Sequence, residues 1–190
     1  MSKRHLRLLI SSLVIFLFSI MIGCGCLTGP IARSTPLDET KVSIAISPNF
    51  DTKKYRKVAV MPIYGERGNG VLEAQASDVF AAKLMEMGFT VVERTQIQRI
   101  FNELQLSMAG MLSKDELNKI GKLLDIDMIV MGTASGWNLI DKGYRAASIR
   151  FVDTVTGEQL ISMWSDNLSY RTNFSSEMAD VLKRKLAEAR

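Results

Sequence analysis

The residue types that most often carry chemistry are confined to the first 26 positions of this 190-residue chain. They are one histidine, His5, and two cysteines, Cys24 and Cys26. Because neither type occurs later, the rest of the chain cannot build a Ser-His-Asp or Cys-His nucleophile, a His/Cys zinc site or an internal disulfide. Catalysis there would depend on carboxylates, Lys, Arg or Tyr alone. The sequence therefore predicts a protein that is not an enzyme and binds no metal or cofactor.

The two cysteines follow a segment with the organisation of a secretory signal. Three basic residues lie within the first seven positions, and the 15-residue apolar run Leu8–Ile22 comes next. Gly23 then precedes Cys24, and this junction resembles that of a bacterial lipoprotein signal, in which the cysteine is acylated. We expect residues 1–23 to be a signal peptide and Cys24 to carry the lipid, with Cys26 as the alternative site.

The same segment predicts where the protein works. An uncleaved helical anchor is the alternative, but 15 helical residues span about 22 Å, whereas a hydrocarbon core is about 30 Å thick. Gly25 follows Cys24 in place of the Asp that retains many lipoproteins at the inner membrane. We therefore expect a lipid anchor at the periplasmic face of the outer membrane, with the inner membrane as the alternative.

The net charge does not indicate nucleic-acid binding. The chain has 24 basic and 20 acidic residues, and three of the basic ones lie in the acid-free first 23 positions. The remainder has 21 basic residues against 20 acidic ones, which is nearly neutral. Because a nucleic-acid-binding domain needs a basic surface, we expect no nucleic-acid partner.

One stretch has the composition of a ligand-binding loop. Gly65, Gly68 and Gly70 lie between a predicted strand and a predicted helix, where phosphate-binding loops occur. Their spacing, G-x-x-G-x-G, differs from the dinucleotide motif G-x-G-x-x-G, and no G-K-[ST] follows. We expect an ordinary strand-to-helix loop, with a periplasmic nucleotide- or sugar-binding protein as an alternative function.

Two further sets of residues have both a functional and a structural interpretation. Glu93, Asp125 and Asp127 lie near predicted strand ends, where carboxylates do acid–base chemistry or, more often, cap helices and pair with Arg. Four aromatic residues of the C-terminal half either mark a partner surface or, by default, fill the core: Trp137, Tyr144, Trp164 and Tyr170.

Residues 24–40 are predicted to be a lipidated N-terminus and linker, and residues 41–190 a single domain. Alternating or continuous apolar residues predict strands at Val42–Ile46, Lys57–Tyr64, Phe89–Glu93, Met128–Ala134, Tyr144–Asp153 and Glu158–Leu168. Helical spacing predicts helices at Val71–Met87, Thr95–Leu106, Lys114–Leu124 and Ser175–Arg190. The order of elements predicts an α/β (or α+β) fold with three layers. A mixed sheet with a parallel centre and a C-terminal antiparallel hairpin has helices on both faces.

Local signals specify how some of these helices begin and pack. Thr95 with Gln98, and Ser113 with Glu116, have the spacing of capping boxes. Gly121, on the apolar side of its helix, permits close packing. The apolar face of the first helix is expected to contain Leu72, Ala76, Val79, Phe80, Leu84 and Met87.

Four segments of the predicted domain occur together in a known family. They are Lys57–Ile63, Phe89–Glu103, Ile120–Gly132 and Phe151–Ser162. They contain V-V-E-R at a strand end, I-G-K-L-L-D-I-D before a buried strand, and D-T-V-T-G-E at the hairpin. In this order they resemble the CsgG family, which is named for the outer-membrane lipoprotein that secretes curli subunits.

The resemblance implies a lipid-anchored periplasmic domain, with a fold that also occurs in the lipoprotein LpoB and in the N-terminal domain of TolB. In the curli channel, two long hairpin insertions line the pore. One lies between the buried strand and the C-terminal hairpin, and the other follows that hairpin. Each needs about 20 residues, because a membrane strand takes about 9–11. Here only Ser135–Gly143 separates the buried strand from the hairpin, and the last helix begins within about six residues of Leu168. Because neither site has room for such an insertion, we expect the domain and the anchor without the channel.

These observations predict a non-enzymatic lipoprotein that assembles or regulates a protein complex of the cell envelope. Its expected partners are the membrane, through the lipid, and other envelope proteins. Self-association into a homo-oligomer is a further alternative. A subunit of an oligomeric outer-membrane secretion channel for curli-like proteins is the alternative that the resemblance leaves open.

Overall fold

The computed structural model describes residues 41–66, 71–106, 112–140, 143–168 and 173–188. The described residues all belong to one compact unit within Pro36–Arg190. The predicted signal peptide, both cysteines and the predicted linker lie outside the described residues.

Strands and helices follow the predicted order with small shifts at their ends. The strands are β1 (Ser43–Ile46), β2 (Lys57–Gly65), β3 (Thr90–Val92), β4 (Met128–Ser135), β5 (Ala146–Asp153) and β6 (Gln159–Ser165). The helices are α1 (Val71–Glu86), α2 (Arg94–Glu103), α3 (Lys114–Leu124) and α4 (Phe174–Glu188). Within the described ranges, none of these helices has the length and apolar character needed to cross a membrane.

The strands form one mixed sheet in the order β1-β6-β5-β4-β2-β3. The crossovers through helices make β2 parallel to both β3 and β4, while β5, β6 and β1 continue the sheet in antiparallel pairs. The predicted mixed α/β architecture, with its C-terminal hairpin, is confirmed. The pairing of β1 with β6 completes the antiparallel side of the sheet.

Strand β4 passes through the interior with both of its faces covered. Met128 and Val130 pack into one core cluster with residues of α1 and α4, whereas Ile129 packs into a second cluster with residues of α2 and α3. All three are essentially inaccessible to solvent. This explains why the strand has a continuous apolar sequence, and it confirms the predicted helices on both faces.

Helix α3 begins and packs as its sequence predicts. The Ser113 hydroxyl accepts a hydrogen bond from the Glu116 amide, and the Glu116 carboxylate accepts one from the Ser113 amide at 2.7 Å. This capping box also lowers the pKa of Glu116, chiefly through the Ser113 backbone amide. A Cβ added at Gly121 would lie 2.6 Å from the Thr154 side chain, so only glycine permits this approach.

Two local predictions are wrong. The Thr95–Gln98 capping box is absent, because α2 begins at Arg94 with Glu93 as its N-cap residue and no side-chain cap bond. Thr95 therefore lies inside the first turn, where its hydroxyl cannot cap. Val79, expected on the apolar face of α1, is exposed because it lies at the margin of that face, beside the buried Phe80.

Candidate functional site

The first part of the glycine loop joins two neighbouring strands. Gly65 is the last residue of β2, and the next residue, Glu66, accepts a hydrogen bond from the Gly136 amide at 2.8 Å through its carboxylate. The Glu66 amide donates to the Ala134 carbonyl oxygen at 3.2 Å. Gly68 and Gly70 lie outside the described residues. The start of the loop therefore connects the end of β2 to the end of β4 by hydrogen bonds. The nucleotide- or sugar-binding function stays a prediction.

A cavity of about 280 Å³ lies at the opposite end of the sheet from the start of this loop. It is formed where α1 and α4 end and β3 begins. Basic and apolar side chains both contribute to its wall, among them Arg56, Met87, Phe89, Lys183 and Leu186. The wall therefore belongs to a different part of the domain from the described start of the glycine loop.

The carboxylates that precede β4 hold the sheet together. Asp127 accepts hydrogen bonds from the backbone amides of Arg56 and Lys57, both at 2.8 Å, and so joins the start of β2 to the start of β4. Asp125 ends α3 in a left-handed conformation and forms an ion pair with Lys57 at 3.0 Å. Glu93 is the N-cap residue of α2. The structure assigns all three to helix ends and strand junctions, and it does not bring them together as an acid–base site.

A buried carboxylate that sequence reasoning missed lies at the start of the hairpin turn. Asp153 accepts hydrogen bonds from the Tyr55 hydroxyl at 2.7 Å and from the amides of Val155 and Thr156 at 2.6 and 2.8 Å. Burial opposes ionisation of Asp153, but these donors, led by the Thr156 amide, hold its pKa below the usual range. Burial is also the main cause of the raised pKa of Tyr55.

This pair fixes the turn of the hairpin and does not form an open reaction centre. The Tyr55 hydroxyl also accepts a hydrogen bond from the Lys54 ammonium at 2.9 Å, so Tyr55 has a defined position beside Asp153. Because Tyr55 and Asp153 are far apart in sequence, no local motif could have paired them. The D-T-V-T-G-E motif did indicate the turn itself.

The aromatic residues named from the sequence have different surroundings. Tyr144 is buried and makes edge-to-face contacts with Trp137 and Phe174, at ring-centroid distances of 4.9 and 5.9 Å. Trp164, in contrast, is 50% exposed. Tyr170 lies outside the described residues. The core interpretation is therefore right for Tyr144 and wrong for Trp164, whose side chain is half exposed on the sheet.

Trp164 belongs to a row of exposed side chains that crosses five strands. The register places its members side by side in the order Ser43, Trp164, Ser148, Thr133 and Tyr64. They point to the sheet face that α2 and α3 cover farther along the strands, yet all five are exposed. The hydroxyl oxygens of Thr133 and Ser148 are hydrogen-bonded at 3.0 Å. We call this row the open-face row.

The connection between β4 and β5 adds a second exposed feature at the same end of the sheet. In this connection, Asn138 and Gly143 form an isolated antiparallel β-bridge that extends the pairing of β4 with β5. The Asn138 side-chain oxygen accepts a hydrogen bond from the Ile140 amide at 2.7 Å. Leu139 and Ile140, which we call the apolar tip, are 69% and 89% exposed. Exposed aromatic and aliphatic side chains therefore lie together at this end of the sheet.

Comparisons with solved structures show likenesses of modest strength. The PelC dodecamer from Paraburkholderia phytofirmans gives a TM-score of 0.47 at 13% identity, covering 75% of this chain and 94% of that one. The LpoB C-terminal domain from Escherichia coli gives 0.45 at 19%, covering 58% and 80%. Lipoprotein GNA1162 from Neisseria meningitidis gives 0.47 at 16%, covering 69% and 96%. No curated protein sequence matches the chain.

A family model gives the decisive comparison. The model described as "Curli production assembly/transport component CsgG" matches residues 31–144. The match includes three of the four segments on which the resemblance was based, and these form β2, the region from β3 through α2, and the passage from α3 into β4. Because it spans more than half of the chain, this protein belongs to the CsgG family.

Proposed function

We propose that this protein is a lipid-anchored protein of the cell envelope that contributes to the assembly or regulation of an envelope protein complex. Membership of the CsgG family supports the envelope location, since the family model is described as an assembly and transport component. The basic start, apolar run and Gly23-Cys24 junction support acylation of Cys24. The domain acts through protein contacts and not through catalysis.

The open-face row is the observation that carries the protein-binding part of this proposal. Tyr and Trp are the residues that contribute most to protein interfaces, because they bury a large area at a small cost in conformational entropy. Here Trp164 and Tyr64 flank Ser148 and Thr133 on a face that no described element covers. A partner on this face would bury both rings and meet hydroxyl groups between them.

Photo-crosslinking in the native envelope tests this assignment. A benzophenone amino acid at position 164 should crosslink to a protein other than this chain. The matched control carries the same group at Val155, which is 63% exposed at the opposite end of the sheet. We expect the heterologous product from position 164 and not from position 155.

Two outcomes would contradict the assignment. Equal crosslinking from positions 164 and 155 would show that the open-face row is not a specific surface. Products formed only between copies of this chain would replace a heterologous partner with self-association.

A subunit of a secretion assembly is the second candidate, favoured by the description of the family model as a curli transport component. This function requires a closed ring of subunits. Negative-stain microscopy of the protein extracted from its own membrane distinguishes the candidates. Rings would support the transport function, and single domains or complexes with another protein would support the first proposal.

A further inference from the structure

Two adjoining cavities form one groove beside the ends of α1 and α4. The cavity of about 280 Å³ shares Thr52, Arg56 and Leu186 with a second cavity of about 610 Å³, which extends toward the connection between β1 and β2. Small-molecule sites typically have volumes of about 300–1,000 Å³, so the two cavities together are large enough for a ligand. We call the two cavities the α1–α4 groove.

Much of the lining of the α1–α4 groove is apolar and has a defined position. Its apolar residues are Ile46, Phe50, Met87, Phe89, Leu186 and Ala187. Phe50 stacks on the buried Tyr55 with ring centroids 5.9 Å apart and an interplanar angle of 9°. Tyr55 is in turn hydrogen-bonded to Asp153 at 2.7 Å. Phe89 and Leu186 belong to the main core cluster, so this part of the lining is preformed.

Arg56 and Lys183 bring two positive charges to this apolar lining. The backbone of Arg56 is held on both sides, since its amide donates to the Asp127 carboxylate and its carbonyl oxygen accepts from the Thr90 amide, both at 2.8 Å. The side chains of Arg56 and Lys183 are exposed, and neither has an ion pair or a side-chain hydrogen bond in the part of the chain that the structure describes. An anion in the groove can therefore pair with either cation without breaking an existing contact.

The carboxylates of the α1–α4 groove already have partners. Glu86 accepts a hydrogen bond from the Lys83 ammonium at 3.4 Å, and Asp51 accepts one from the Lys53 amide at 2.8 Å. The residues that line the smaller cavity carry two positive charges and one negative charge, which suits an occupant with a single negative charge. A peptide would also bring backbone N–H groups, which the two cations cannot accept, whereas a hydrocarbon chain brings none. These features favour a carboxylate at the end of a hydrocarbon chain.

We propose that the α1–α4 groove binds a fatty acid, whose carboxylate pairs with Arg56 and Lys183. The hydrocarbon chain lies against Met87, Phe89 and Leu186. This ligand site is separate from the open-face row, which lies at the other end of the strands and on the face that α2 and α3 cover. A bound fatty acid contacts the ends of α1 and α4 and the connection between β1 and β2, so it stabilises the folded domain by mass action.

Methyl NMR of the full-length protein in lipid nanodiscs tests the proposal. The methionines carry ¹³C-labelled methyl groups, and octanoate is titrated at a constant lipid concentration. Met87 reports on the groove. The matched control is Met131, which is also partly buried but packs on the face that α2 and α3 cover. Octanol has the same chain without the charge and serves as the control ligand.

We expect octanoate to shift the Met87 methyl signal saturably and to leave the Met131 signal unchanged. Arg56→Gln and Lys183→Gln should each raise the apparent dissociation constant about five- to tenfold, because the carboxylate loses a charged donor. Lys122→Gln removes an exposed cation of α3, on the other face of the sheet, and should leave the affinity unchanged. An unchanged Met131 signal shows that each variant is folded.

Three results would overturn the proposal. The first is the absence of a saturable Met87 shift, and the second is a shift of equal size at Met131, which would indicate general partitioning of octanoate. The third is equal affinity for octanoate and octanol, or for the parent and both groove variants, because the cations would then not hold the carboxylate. None of these results bears on the crosslinking from position 164, which tests the proposed function separately.

Discussion

At the scale of single residues, burial and hydrogen bonding act in opposite directions on the carboxyl group of Asp153. Burial disfavours its charge, and donors from Tyr55, Val155 and Thr156 stabilise that charge, with a net lowering of the pKa. The sequence identified the turn that contains Asp153 but not its partner Tyr55, since that contact depends on how β1 and β2 are placed in the sheet. Residues that act through distant contacts are the ones that local patterns miss.

Replacing Asp153 with Asn should lower the free energy of unfolding by about 1–3 kcal/mol, because charge-assisted hydrogen bonds are lost in a buried position. The lowered pKa means that the stabilising effect of Asp153 is complete above the ordinary aspartate value of about 3.9. It is lost as the pH falls through the lowered value. Urea unfolding measured between pH 7 and pH 3 should therefore show that the difference in free energy of unfolding between the parent and the variant becomes smaller in acid. A constant difference across that range would show that the charge of Asp153 is not what matters.

At the scale of helices, two similar sequence signals had different outcomes. Ser113 and Glu116 form their capping box because Ser113 is itself the N-cap residue of α3 and Glu116 lies three residues later. Thr95 and Gln98 have the same spacing, but β3 ends at Val92 and the Glu93 carbonyl already accepts from Gln96 and Ile97 at 3.1 and 3.3 Å. Helix α2 therefore starts before the predicted cap. The spacing of Thr95 and Gln98 alone cannot predict where the helix begins when the end of the preceding strand determines its first residue.

These two helices provide a matched pair of variants. Ser113→Ala should destabilise the protein by about 1 kcal/mol, because an N-cap hydroxyl is lost. Thr95→Ala should change the stability by less than about 0.5 kcal/mol, because Thr95 is exposed and caps nothing. Urea melts of both variants measure the difference. Equal losses would mean that Thr95 also caps its helix in solution.

At the scale of the whole molecule, the sequence contained the class of the fold but not its full strand order. Continuous apolar residues in β4 identified a strand covered on both faces, and the helices between strands identified parallel neighbours. Nothing in the four residues of β1 indicated that this strand pairs with β6 at the edge of the sheet, with Ser43 opposite Trp164. The open-face row could not be predicted for the same reason, since it exists only once five strands are in register.

Ile129 tests the central position of β4. Ile129→Asp would place a carboxylate without a partner between β4 and the helices α2 and α3, at a cost of several kcal/mol. This is comparable with the whole stability of a typical domain, about 5–15 kcal/mol. The variant should fail to accumulate as folded protein, whereas Lys119→Asp on the exposed side of α3 should melt within about 0.5 kcal/mol of the parent. A normal melt for Ile129→Asp would contradict this sheet.

The central claim of the account is that the domain is tethered to the envelope by a lipid on Cys24. The most direct test is the intact mass of the protein extracted from the membrane of its own cells, with the N-terminal peptide sequenced by fragmentation. The account predicts a chain that begins at Cys24 and carries acyl groups on that residue. A chain that begins at an acylated Cys26 would place the lipid two residues farther on. A chain that retains residues 1–23, or one with an unmodified Cys24, would contradict the claim.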